Sequence, residues 1–249
     1  MKRVQIAAIA LCMVGSGSTR VAWAHGACAN EERQGEYAYY RGEYQRSIGF
    51  FQQAAQRPCG RTAFWPTYMI GENYCALGDW NQCADYSRKA IELDPTNGRA
   101  YGNLGHALLQ LGRVDEAIQW LEQGISRDAA HEMLHNNLGA AYMLKEQYEI
   151  AVKHFQDALY WNEDEPLIYR NLAAALSAQG DWERAAQYAE QALALDEHNQ
   201  DAQAIVRFAR QKRHMTEQPM SPEPSTLKPA SPPPVFRPLF LTSTALPPP

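Results

Sequence analysis

The sequence predicts an all-α solenoid of about five helical hairpins, closed by a capping helix and followed by a proline-rich tail. Three observations lead there. First, residues recur at a period of 34: Leu104, Leu138 and Leu172 keep it, as do the Gly105, Gly139 and Ala173 that follow them. Ala117, Ala151 and Ala185 share the step, and so do Ala90, Gly124, Ala158 and Ala192. Self-similarity at such a period marks stacked supersecondary units. Second, each period holds two apolar stripes at helical spacing: Leu104, Ala107, Leu108 and Leu111, then Ala117, Ile118, Leu121 and Ile125, separated by Gly112. Third, eleven of the 15 prolines lie after residue 215, where neither a helix nor a central strand can persist.

The first element is residues 1–24, which read as a secretory signal. Lys2 and Arg3 form a charged start, Val4 to Val14 is apolar except for Gln5, and Ala22-Trp23-Ala24 is an A-x-A site. Cleavage is expected after Ala24, and the mature protein is expected in the periplasm or secreted. The full chain carries a net charge of −5; residues 25–249 hold 20 basic against 28 acidic residues, or −8. An acidic chain without a basic cluster is not built to meet phosphates, so nucleic acid is not an expected partner. No run of 18 apolar residues is present, so no ordinary spanning helix is expected.

Residues 25–214 form the repeat body. Leu77-Gly78-Asp79-Trp80 returns three periods on as Gln179-Gly180-Asp181-Trp182, with Leu111-Gly112 between. Asp94-Pro95 closes one unit, because proline cannot continue a helix and also restricts the residue before it. Pro166 opens another, where its missing N–H does no harm. Small residues at 105, 139 and 173 are expected to let each first helix lie against Ala117, Ala151 and Ala185 of the second.

These residues resemble the tetratricopeptide repeat. Its pattern of aromatic, Leu-Gly, aromatic, Ala, aromatic, Ala and Pro is met by Tyr101, Leu104-Gly105, Ala117 and Gly124, and better by Leu138-Gly139, Tyr142, Ala151, Phe155 and Ala158. The resemblance frames repeats at about 28–61, 64–97, 98–131, 132–165 and 166–199, the first after a two-residue insertion. Residues 200–214 read as the cap, with Ile205, Val206 and Phe208 on one side. Departures are Cys83 and Ser87 in the second repeat, Ala173 for Gly, and no proline closing the last three repeats.

The last element, residues 215–249, is expected to be an extended tail. Within it Val235-Phe236-Arg237-Pro238-Leu239-Phe240-Leu241 is apolar and aromatic. It is either a chance cluster or a docking segment, through Phe236, Leu239 and Phe240, for a partner or for the protein's own groove.

Removal of Cys12 with the signal leaves Cys28, Cys59, Cys75 and Cys83, an even count that suits disulfides in an exported protein. In the repeat frame Cys28 and Cys59 lie at one end of their hairpin, and Cys75 and Cys83 flank the turn at Gly78. Crossed pairings would span about 16 Å of helix, beyond the roughly 7 Å Cα separation a disulfide tolerates. The expected pairs are therefore Cys28–Cys59 and Cys75–Cys83, with buried free thiols as the alternative.

His131-Glu132-Met133-Leu134-His135 matches the H-E-x-x-H spelling of zinc hydrolases. That chemistry needs both histidines on one helical face, and here the motif crosses a junction between repeats, with His135 at the aromatic position of Tyr101 and Tyr169. No catalytic residue, metal or cofactor is assigned, and the chain is read as no enzyme; a zinc hydrolase is the disfavoured alternative. The resemblance instead implies a concave groove lined by first helices. Asn103, Asn137 and Asn171, one period apart, would form an amide ladder able to hold a peptide backbone. His106, Leu109, Met133, Asn136, Met143, Leu167 and Arg170 would stand beside them. The expected function is an interaction scaffold or adaptor that takes an extended, partly apolar peptide or partner protein, for assembly of an envelope or secreted complex. A chaperone-like holder of exported clients is the alternative, and self-association through end repeats is a further expectation.

Overall fold

The computed structural model describes residues 30–56, 63–217 and Pro238. Among these, regular structure is helical throughout. The helices are α1 (residues 30–40), α2 (Tyr44–Ala55), α3 (Phe64–Ala76), α4 (Trp80–Leu93), α5 (Gly98–Gln110), α6 (Val114–Arg127), α7 (Glu132–Leu144), α8 (Tyr148–Trp161), α9 (Pro166–Gln179), α10 (Trp182–Leu195) and α11 (Gln200–Glu217). From α2 onward each helix packs on the next in sequence, and α3, α5, α7 and α9 also touch in succession. Among the described residues, the even-numbered helices make no comparable contacts with one another. The odd helices are therefore the tight inner layer of a curved solenoid and the even ones its splayed outer layer. No helix among the described residues is long and apolar enough to cross a membrane.

Local chemistry sets the boundaries. Hairpin turns use a left-handed residue, which glycine adopts without steric cost: Gly42, Gly78, Gly112 and Gly180 have φ of 73°, 75°, 75° and 86°. The fourth hairpin places Glu146 in the same column, at φ 58°. A side chain there carries steric strain of roughly 1–2 kcal/mol, partly offset because glycine is more flexible when unfolded. Glu146→Gly is thus expected to stabilise the protein by about 0.5–1 kcal/mol. Chemical denaturation followed by circular dichroism checks this, and an unchanged or lower midpoint would contradict it.

Between hairpins, Asp94, Asn162 and Asp196 end the outer helices in extended conformation. Their Oδ1 atoms accept from the backbone N–H of Thr96, Asp164 and His198. Such Asx turns redirect the chain, at Asp94 together with Pro95 and at Asn162 and Asp196 without a proline. Asn97 and Glu165 then cap α5 and α9 by accepting from Arg99 and Leu167.

The core has two clusters, one with Phe51, Tyr68, Leu104, Leu121 and Leu138 and one with Phe155, Leu172 and Ile205, and half-buried Tyr142 packs against both. One expectation changes in detail. The side chains filling the space above Gly105 and Gly139 are Leu121 and Phe155, one turn beyond Ala117 and Ala151. Both large groups are fully buried, so the missing Cβ makes room for a ring or an isobutyl group. Gly35 serves Phe51 the same way in the first hairpin. Cys75 and Cys83 face each other across the Gly78 turn with Cα atoms 5.0 Å apart. Cys28 and Cys59 lie outside the described residues, as do residues 1–24 and Phe236, Leu239 and Phe240.

Candidate functional site

The junction between α6 and α7 separates the two histidines of the H-E-x-x-H spelling. His131 is the N-cap of α7, with extended backbone (φ −101°, ψ 105°), and its imidazole is held below its ordinary pKa by burial. His135 turns elsewhere. Its Nε2 lies 3.0 Å from the Ala129 carbonyl, which makes Nε2 the protonated nitrogen and Nδ1 the one with a lone pair. His135 Nδ1 is 3.9 Å from Asp157 Oδ2, and His154 Nδ1 is 4.0 Å from the same atom. These three ligand atoms lie within 4.8 Å of one another. Burial, followed by the neighbouring His135, lowers the pKa of His154. A His–His–Asp grouping could hold a divalent ion, but Glu132 is not part of it, so no zinc-hydrolase arrangement results.

The inner layer carries the groove. Position by position down the period, Glu72, His106, Ala140 and Ala174 share one column, and Tyr68, Gly102, Asn136 and Arg170 another. Asn103, Asn137 and Asn171 are fully buried, and their amides join helix to helix. Asn103 Nδ2 donates to Glu72 Oε2 at 2.5 Å, linking α5 to α3. Asn137 Nδ2 donates to the Gly102 carbonyl at 3.2 Å, linking α7 to α5. Asn171 Nδ2 donates to Asn136 Oδ1 at 2.9 Å, linking α9 to α7. Asn136 donates in turn to Asn137 Oδ1, and Arg170 to Asn171 Oδ1 at 2.8 Å. Arg170 also pairs with Asp201 of α11. One ribbon of polar contacts thus runs from the second hairpin to the cap.

The amide ladder read from sequence is therefore also a structural seam. Tyr68, His106, Asn136, Asn137 and Asn171 each hold a further partner beyond these bonds. Around the seam stand apolar groups: Met133 packs under Gly102, and Leu109 and Met143 are 5% and 7% exposed. His106 lies against Trp80, ring centroids 5.0 Å apart, and burial pushes its pKa down to about 4, leaving a neutral ring at ordinary pH. Leu167 is half-buried at the start of α9. Burial lowers the pKa of Arg170 and Asp201 opposes that shift, so this cation is already matched by a carboxylate.

Sequence reasoning missed the acidic end of the ribbon. Glu72 is 2% exposed and accepts from Tyr68 at 2.9 Å and Tyr39 at 3.3 Å as well as from Asn103. Its place one period before His106 was the available signal. Asp201 had none, since α11 falls outside the repeat.

Two family models described as tetratricopeptide repeat match residues 74–142 and 129–198. Among solved structures the chain is similar to TTC0263, a thermophilic TPR protein of Thermus thermophilus. The TM-score is 0.61 at 20% identity, over 74% of this chain and 99% of that one. It is similar also to MamA, residue 41 to the end, from Desulfovibrio magneticus. There the TM-score is 0.56 at 20% identity, over 69% and 96% of the two chains. YrrB, a TPR protein with an unusual peptide-binding site, gives 0.51 at 16% identity, over 69% and 88%. At these identities the likeness speaks for the fold. No curated protein sequence matches the chain.

Proposed function

Because the chain belongs to the tetratricopeptide repeat family, we propose that it is a non-catalytic adaptor whose concave face takes an extended, partly apolar segment of a partner protein. The carrying observation is the composition of that face: Leu109, Met133 and Met143 border a buried amide seam that holds the inner helices together. Apolar side chains of an extended peptide are selected by shape along that border. The signal-like start, with its A-x-A site, supports export. The 5.0 Å approach of Cys75 and Cys83 supports a disulfide there, and an oxidising compartment such as the periplasm would maintain it. An envelope or secreted assembly is the setting this reading favours.

Alanine at the buried seam asparagines would test the fold rather than the groove, since their amides join the helices. The better probe introduces charge beside the seam. Capture from an envelope extract by Leu109→Arg and Met143→Arg is expected to lose a defined, saturable partner by about tenfold or more, the equivalent of roughly 1.4 kcal/mol. Helix content and thermal unfolding are measured alongside. Unchanged capture with an intact fold would move the binding surface off the concave face.

A further inference from the structure

The inner helices are buried over most of their length. Residues 100–109 of α5, 133–141 of α7 and 170–177 of α9 are unbroken runs of buried positions. A helix buried without interruption for two turns or more is covered on every side. For α5, three sides are accounted for: α4 and α6 behind, with α3 and α7 on the flanks. The concave side remains, and in a solenoid this is the surface ordinarily left open for ligands. Here Leu109, Met143 and Ser177 are at most 7% exposed. Pro238, the one described residue beyond α11, is itself buried. Its neighbours in sequence are apolar and aromatic, Val235-Phe236 before and Leu239-Phe240-Leu241 after.

We propose that residues 235–241, centred on Pro238, occupy the chain's own concave groove as a tethered ligand that a partner must displace. The reach is sufficient, since the roughly 20 residues between Glu217 and Pro238 can span about 65 Å when extended. An inner helix is only about 20 Å long, so a tail leaving α11 can return along the whole layer. The chemistry also fits. A proline-flanked segment favours the polyproline conformation, which makes no internal hydrogen bonds and presents its carbonyls outward. The groove offers Leu109, Met133 and Met143 for Phe236, Leu239 and Phe240. A ligand tethered this way acts at an effective concentration on the order of millimolar, and a partner's apparent affinity falls by the fraction of chains whose groove is open.

This inference rests on the concave face being a peptide groove, and the experiment separates the two. The full chain carries p-benzoylphenylalanine in place of Phe240, and a light–heavy isotope mixture is irradiated and mapped by mass spectrometry. Crosslinks from Phe240 to α5, α7 or α9 within one chain are expected. Crosslinks to the outer helices, between light and heavy chains, or no more than from Thr244 would each overturn it. In parallel, a labelled peptide of residues 230–243 is titrated into the full chain and into Phe236→Ala/Phe240→Ala. At least tenfold tighter binding to the variant is expected; equal binding, or none to either, overturns the proposal. Capture by Leu109→Arg tests the groove alone: a partner that this change abolishes, with no crosslink from Phe240, keeps the groove and rejects the tail.

Discussion

Phe155→Ala is expected to lower the stability of the protein by about 3–5 kcal/mol. The ring is fully buried and fills the space that Gly139 leaves open, where a Cβ would stand 2.8 Å from the ring. Truncation leaves a cavity on the α7–α8 contact, which lies in the middle of the solenoid. Repeat arrays are held by nearest-neighbour interfaces, so the loss falls on one interface and uncouples α9, α10 and α11 from the hairpins before them. Urea unfolding followed by hydrogen exchange should then show the C-terminal hairpin opening ahead of the rest. The converse change, Gly139→Val, overpacks the same spot at about 1–3 kcal/mol. In the double variant the two should partly compensate, since residues in contact are not additive. A cost below about 1 kcal/mol for Phe155→Ala, or strict additivity, would mean that the interface is not packed as described.

A second large effect belongs to Glu72. Its carboxyl group is buried, and desolvation pushes its pKa above the ordinary 4.5, while hydrogen bonds from Asn103, Tyr68 and Tyr39 act against that rise. The folded chain therefore keeps this proton to a higher pH than the unfolded chain does. Stability conferred by the protonated form is fully present below about pH 4.5 and is lost as pH rises through the folded value. Glu72→Gln keeps the shape and an acceptor but cannot ionise, so the decline of stability across that window should flatten. Glu72→Ala removes the shared acceptor of the Tyr39 and Tyr68 hydroxyls and the Asn103 amide. It should be less stable than Glu72→Gln by about 2–3 kcal/mol, since an unsatisfied buried group costs about 1–3 kcal/mol. Denaturation midpoints from about pH 4 to 8 for the three proteins decide the matter. Parallel pH profiles for wild type and Glu72→Gln would exclude a buried, titrating Glu72.

Glu146 shows how far reading in columns reaches. Gly78, Gly112 and Gly180 define a left-handed column, and Glu146 falls in it by counting alone, although only backbone geometry shows its φ of 58°. The column of Asp94, Asp128, Asn162 and Asp196 is likewise visible in the sequence, but only the structure shows the Asx turns at Asp94, Asn162 and Asp196. The asparagine column at 103, 137 and 171 was also visible. Its role was not, because an amide facing a groove and an amide joining two helices have the same spacing. His135 was recognised at the aromatic position, but its neighbours His154 and Asp157 come from the next helix and were not.

By itself the sequence determined the helices, their turns, their number and the family they build. Each of these rests on spacing within one turn or one period, which about 3.6 residues per turn and the steric demands of glycine, proline and aspartate control. Tertiary structure alone decided which side chains meet across helices. It set Phe155 over Gly139 where Ala151 was expected, Asn103 and two tyrosines on Glu72, and Arg170 on Asp201 of the cap. It also buried Leu109, Met143 and Ser177 along the inner layer. Those contacts depend on the angle and offset at which neighbouring helices cross, and a shift of one helical turn exchanges one partner for another without altering any periodic column.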